Sequence, residues 1–214
     1  MKNSLKGDGN IRRGAETSGS LVGESTVIWA EDAMEVCQLA DADATRSLGR
    51  RLASRLLEGL AGGSRAGGAD PPLPPVLLLR GDLGAGKTCL VQGLAEGMGI
   101  DEPITSPTFA LAHHYRGQKD TRPTALVHLD LYRLENPAAA AELFAQEEEE
   151  TRALGAVLAV EWPERLAFLP EPCWRVELEV AGEGRVARLW SPGGQANWSE
   201  DGESGAALAG QGTV

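Results

Sequence analysis

The sequence predicts an α/β fold with parallel strands at its centre and an antiparallel hairpin near its C-terminal end. Three observations predict it. Val76 to Leu79 is a continuous apolar run, followed later by Ala125 to Leu131 and Ala156 to Val160. Short runs without alternation suit strands buried on both faces, as in parallel sheets. Apolar residues recur at spacings of three and four at Leu48, Leu52, Leu56, Leu57 and Leu60, and again at Leu90, Val91, Leu94 and Met98. That is the period of an amphipathic helix. Finally, Trp174 to Val180 alternates apolar and polar residues, and Gly182 and Gly184 separate it from Val186 to Trp190. This is the pattern of a hairpin.

The chain has 214 residues, enough for one sizeable core and short for two. With 42% hydrophobic and 24% charged residues it has the composition of a globular protein. Its net charge of -11 opposes phosphate backbones and disfavours direct, strong nucleic-acid binding. The three cysteines, Cys37, Cys89 and Cys173, form no C-x-x-C pair, so neither a disulfide framework nor a structural zinc site is expected. No apolar run reaches the length of a membrane span. Lys2, Lys6, Arg12 and Arg13 are followed by no apolar segment, so no secretory signal is expected and the cytoplasm is the default.

Residues 1–24 are rich in Gly, Ser, Asn and charge and read as a disordered tail. One domain is expected over 25–191, with a second flexible tail at 192–214. Thr26 to Ala30 reads as a possible first strand. Arg46, Arg50, Arg51 and Arg55 fall mainly between the helical leucines and read as a solvated face. Residues 61–75 (AGGSRAGGADPPLPP) are too rich in Gly and Pro for a helix or central strand, and read as a loop inserted into the domain. Glu147 to Glu150 reads as a solvated charge run. His113, His114 and His128 show no metal-ligand arrangement and read as core or surface histidines.

Chemistry enters at Gly81-Asp82-Leu83-Gly84-Ala85-Gly86-Lys87-Thr88, which matches G-x-x-x-x-G-K-[ST] between an expected strand and an expected helix. Glycines let the backbone wrap around phosphate oxygens and turn its N–H groups inward. The helix starting near Lys87 adds the positive end of its dipole. In such a loop Lys87 reaches the β- and γ-phosphates of ATP and the Thr88 hydroxyl ligates Mg2+. The metal needs acidic company. Two apolar runs supply it, one leading into Asp130 and the other into Glu161. Carboxyl ends of parallel strands face a common crevice, so both can approach one ion. Trp162 follows Glu161 directly and reads equally well as packing beside the site or in the core.

Three further segments follow the P-loop in order: Ile104-Thr105-Ser106-Pro107-Thr108-Phe109, His128-Leu129-Asp130-Leu131-Tyr132-Arg133-Leu134 and Val160-Glu161-Trp162-Pro163. Together they closely resemble the bacterial TsaE (YjeE) family, the ATPase component of tRNA threonylcarbamoyladenosine synthesis (A37 of ANN-decoding tRNAs). The resemblance spans roughly Asp43 to Leu189. It implies a P-loop NTPase-like fold, with a mainly parallel central sheet flanked by helices. It implies that Ser106-Pro107-Thr108 is a switch-like loop near the γ-phosphate, with Thr108 taking part in catalysis. Asp130 matches the family's required aspartate, and Glu161 its magnesium-ligating glutamate. Thr45 matches a threonine on the adenine side, while the P-loop, Cys89 and Trp162 complete the nucleotide contacts. Arg185 and Arg188 match a basic pair near the C-terminal strand. The implied partners are the threonylcarbamoyltransferase catalytic subunit and its paralogous companion, with tRNA contacted only indirectly. Two departures stand out: the 61–75 loop is longer than the family's usual connection, and the segment after Pro137 is Ala-rich instead of P-E-E-L-E-like.

Two other readings stay open. One is a small-molecule P-loop kinase, which needs an acceptor pocket and usually an arginine-bearing lid; Arg116, Arg122 and Arg133 are the candidates for it. The other is a nucleotide-sensing interaction module with negligible turnover.

Overall fold

The structure, a computed structural model, describes residues 35–62 and 73–192. The expected strand at Thr26 to Ala30, the N-terminal tail, residues 63–72 of the inserted loop and all but Pro192 of the C-terminal tail lie outside those residues.

Among the described residues seven strands form one sheet. In chain order they are β1 (Glu35–Leu39), β2 (Val76–Arg80), β3 (Ala112–Lys119), β4 (Arg122–Asp130), β5 (Val157–Glu161), β6 (Cys173–Ala181) and β7 (Gly184–Trp190). Their spatial order is β1-β7-β6-β2-β5-β4-β3. The four central strands, β6, β2, β5 and β4, run parallel, and the outer pairings are antiparallel. Helices α1 (Ala42–Gly62) and α2 (Lys87–Gly97) cover one face, packing on Leu77, Leu79, Leu126 and Ala159. Helix α3 (Pro137–Leu154) covers the other, packing on Leu78, Val127, Leu129 and Val160 through Ala140 and Phe144. The continuous apolar runs are explained by this burial on both faces.

Local signals set the helix ends. Asp41 Oδ1 accepts the Ala44 N–H at 2.8 Å and caps α1. Asn136 Oδ1 accepts the Ala138 N–H at 2.9 Å, Pro137 fills the first turn of α3, and left-handed Gly155 ends it. The hairpin from β6 to β7 turns at Gly182-Glu183, with Ala181 opposite Gly184.

Several expectations need correction. The helix α1 continues through Ala61 and Gly62, so the irregular stretch begins later than composition suggests. The Ala-rich segment after Pro137 is a helix of 18 residues, and its glutamates are not one solvated run. Glu147 is buried and lies 2.7 Å from His114 Nε2 on β3. Strands β1 and β3 had no counterpart in the sequence reading. The arginines of α1 lie on a solvated face, as expected, and make surface pairs there: Arg46 with Asp43, Arg50 with Glu96 on α2 at 2.5 Å, and Arg51 with Glu35 at 3.6 Å. Among the described residues no helix is long and apolar enough to cross a membrane.

Helices α1 and α2 touch backbone to backbone at three glycines. A Cβ on Gly93 would lie 2.0 Å from the Arg46 carbonyl oxygen, and one on Gly49 would lie 2.2 Å from the Leu90 carbonyl oxygen. A Cβ on Gly97 would lie 2.6 Å from that of Ala53. Overpacking against backbone cannot be relieved by a rotamer change, so Gly93→Ala should cost about 3 kcal/mol or more in chemical denaturation. Gly59→Ala is the control. That site is exposed, the nearest contact among the described residues would be 3.7 Å away, and the helical alanine should add up to about 1 kcal/mol. Equal stability of the two variants would contradict the close approach of the helices.

Candidate functional site

Strand β2 delivers Gly81 to Thr88 to the C-terminal edge of the sheet, and α2 begins at Lys87. Gly81, Gly84 and Gly86 have φ of 143°, 80° and 108°, a region that favours glycine. Gly81 has a second constraint: a Cβ there would stand 2.4 Å from the Leu178 carbonyl oxygen of β6. The Ala85 N–H donates to the Asp82 carbonyl at 3.1 Å and tightens the turn. Ala85 is buried, whereas the Leu83 side chain is exposed at the loop tip, so Leu83 can serve a phosphate only through its backbone.

Lys87 is 5% exposed. Its Nζ donates to the carbonyls of Gly81 at 2.6 Å and Asp82 at 3.0 Å, and stands 4.1 Å from the centre of the Trp162 ring. Burial pulls its pKa down, and the carboxylates of Glu161, Glu164, Asp130 and Asp82 oppose that fall. Trp162 holds this position with a left-handed φ of 60°, a strained conformation for a bulky side chain. The Trp162 N–H donates to the Leu79 carbonyl at 3.2 Å, and Tyr132 packs on its ring at 4.8 Å.

The two expected acids stand side by side, because β4 and β5 pair in parallel with Asp130 opposite Glu161. Thr88 Oγ1 donates to Glu161 Oε1 at 2.8 Å. Asp130 faces a different set. Its Oδ2 accepts from Ser106 Oγ at 3.0 Å and Thr108 Oγ1 at 2.7 Å, while its Oδ1 accepts the Tyr132 N–H at 2.9 Å. The two hydroxyls are themselves 2.6 Å apart. Asp130 therefore ties the 106–108 loop to the end of β4, and Glu161 ties the P-loop to the end of β5.

A hollow of about 260 Å³ adjoins the other side of the P-loop, lined by Asp41, Thr45, Gly84, Gly86, Cys89 and Arg185 among others. Thr45 is buried and donates to the Asp41 carbonyl at 3.0 Å. Cys89 Sγ lies 3.4 Å from the Ala42 carbonyl, and burial pushes its thiol pKa up. Arg185, from β7, reaches the Gly84 carbonyl at 3.3 Å. Arg188 does not share that position; it pairs with Glu179 at 2.9 Å on the sheet face.

The geometry also identifies what sequence reasoning missed. His128 is fully buried, and its Nε2 lies 2.9 Å from Glu161 Oε1. Alternation along β4 was the available signal, since it puts His128 on the same face as Asp130. Of the three candidate lid arginines, only Arg133 sits near the site, 4.3 Å from the exposed Phe109 ring. Arg122 opens β4 at the end away from the site, and Arg116 lies in mid-strand on edge strand β3.

Among the described residues, no three His, Cys, Asp or Glu side chains converge to hold a metal alone. Thr88 and Glu161 fit instead a magnesium ion shared with nucleotide phosphates, which takes one or two protein ligands and keeps waters.

A family model described as "Threonylcarbamoyl adenosine biosynthesis protein TsaE" matches residues 39–188. The chain belongs to the TsaE family. A TsaE from Synechocystis sp. is 44% identical over 142 residues, covering 65% of this chain and 76% of the relative. One from Nostoc sp. is 39% identical over 153 residues, covering 72% and 83%. Among solved structures, Bacillus subtilis YdiB aligns with a TM-score of 0.48 and 26% identity over 72% of this chain and 83% of that one. The stretch matched by the TsaE model contains the P-loop, Asp130, His128 and Glu161, and it excludes both termini.

Proposed function

We propose that this chain is a P-loop ATPase that supports formation of threonylcarbamoyladenosine in tRNA, binding the threonylcarbamoyltransferase complex and hydrolysing ATP in response to it. The observation that carries ATP hydrolysis is the 2.8 Å contact between Thr88 Oγ1 and Glu161 Oε1. It joins the phosphate cradle to an acidic strand end, which a purely structural glycine turn does not need. The tRNA pathway comes from the family, whose members' names state it.

The chain's own groups have separable tasks. Backbone N–H groups of 84–88 and the N-terminus of α2 receive phosphate oxygens. Lys87 supplies a point charge at the β- and γ-phosphates, and leaving Gly81 and Asp82 for them exchanges two carbonyls for anionic oxygens. Thr88 and Glu161 hold the magnesium, which when bound neutralises charge developing on the transferred phosphoryl group. Ser106 and Thr108, tethered to Asp130, stand as the groups that sense the γ-phosphate. Hydrolysis then rests on positioning and charge neutralisation, without a covalent intermediate.

Coupling to a partner follows from that tether. ATP and ADP bias different arrangements of the 106–108 loop, and a surface that touches the loop must alter nucleotide affinity in return. The test is the affinity of this protein for purified transferase subunits with ADP, a non-hydrolysable ATP analogue or no nucleotide. Binding that changes with nucleotide state is expected, with no tight binding of tRNA to the isolated chain, whose net charge is -11. No binding to the transferase subunits in any state, together with tight tRNA binding, would overturn the role. Of the arginines a kinase lid could use, only Arg133 lies near the site; a phosphorylated metabolite in place of free phosphate would favour the kinase reading.

A further inference from the structure

Resting on the reading of Glu161 as a magnesium ligand, the geometry points to a positioning residue that reading does not include: we propose that His128 holds the Glu161 carboxylate in the orientation that receives the metal. His128 lies on β4, two residues before Asp130 and on the same face of the sheet, with no solvent exposure. Its Nε2 is 2.9 Å from Glu161 Oε1, the oxygen that also accepts the Thr88 hydroxyl at 2.8 Å. Two donors on one oxygen fix the carboxylate plane, leaving Oε2 for the metal or its waters.

The other ring nitrogen decides the tautomer. Among the described residues, His128 Nδ1 is buried without a hydrogen-bond partner. A proton there would be an N–H with no acceptor, at the full desolvation cost of a buried donor. The neutral ring with its hydrogen on Nε2 leaves only a lone pair unmatched, and it makes His128 a donor to Glu161. A histidine kept for packing alone has no reason to spend its one donor on the carboxylate beside the P-loop; an apolar side chain there would join Leu126 and Ala159 at lower cost. Residues that orient a metal ligand in this way typically change metal affinity about 10- to 100-fold when removed.

The test is binding of a fluorescent ATP analogue to the full chain, titrated with magnesium from zero. In His128→Leu, affinity in the presence of EDTA should match wild type, while the magnesium midpoint should rise about tenfold. His128→Gln, whose amide nitrogen can reach where Nε2 stood, should recover most of the loss. His128→Asn, whose shorter amide reaches only the Nδ1 position, should not. In a Glu161→Ala background, His128→Leu should move the midpoint no further. A wild-type midpoint in His128→Leu, or an additive shift in the double variant, would overturn the proposal. If His128→Leu does not fold, the Gln and Asn variants carry the same comparison, and equal midpoints in those two would overturn it. Absence of any magnesium-dependent binding by the wild type would instead sink the magnesium–ATP reading itself, and this inference with it.

Discussion

Lys87→Ala should lower phosphate release about 100- to 1,000-fold, the scale seen when one preorganised group is removed from a developing charge. The ammonium lies between two backbone carbonyls and the Trp162 ring, at the mouth of the loop where the β- and γ-phosphates would sit. No other lysine lies within the P-loop sequence to replace it. The fold should survive. Alanine is favourable in the first turn of α2, and the substitution relieves the burial that depresses the lysine's pKa. Lys87→Arg should also fail, because a planar fork cannot take the place of a compact ammonium under the indole. Phosphate release paired with a thermal melt checks both variants. Wild-type turnover by a folded Lys87→Ala protein would remove the P-loop assignment.

Asp130→Ala should be as damaging to turnover and nearly silent in binding. Asp130 makes its hydrogen bonds to Ser106, Thr108 and the Tyr132 N–H, and none to the phosphate loop. Removing it frees two hydroxyls and the loop that carries them, while the cradle from Gly81 to Thr88 keeps its contacts. We expect a fall of at least about 100-fold in turnover, with nucleotide affinity within a few-fold of wild type. Glu161→Ala should behave differently. It unties Thr88, so its main effect should be a higher magnesium requirement. Affinity and turnover measured across a magnesium series separate the two. Equal loss of nucleotide affinity in both variants would argue against dividing the roles between the adjacent strand ends.

How far the sequence reveals this arrangement depends on whether the signal is local. The β2–P-loop–α2 unit is legible because strand, glycines and helix lie within a short stretch with an unmistakable spacing. Strands β4 and β5 are legible from continuous apolar runs, and with them the expectation that Asp130 and Glu161 converge. Edge strands are not. Among the described residues β3 (AHHYRGQK) pairs only with β4 and has no apolar face to pattern, and β1 (EVCQL) is five residues long. Helix α3 hides for a related reason. Of its buried positions Ala140, Phe144, Glu147 and Thr151, two are polar, and Glu147 is matched by His114 from a distant strand. His128 is the same case at the site itself: its partner is set by the pairing of β4 with β5, which no window of sequence contains.

The strand order also imposes a timetable on the nascent chain. The P-loop strand β2 leaves the ribosome before either of its sheet neighbours, β5 and β6, has been made. Until then its buried leucines have no strand on either side, and Thr88 waits for Glu161. β1 waits longest, because among the described residues its sole partner is β7. Pairings between such distant segments form late and slowly. The emerging chain thus exposes an apolar strand until β5 and β6 have been made, the situation in which partly made domains rely on holding factors to avoid aggregation. A chain interrupted between Thr88 and Trp190 would carry a complete phosphate-binding sequence and an unfinished sheet to hold it.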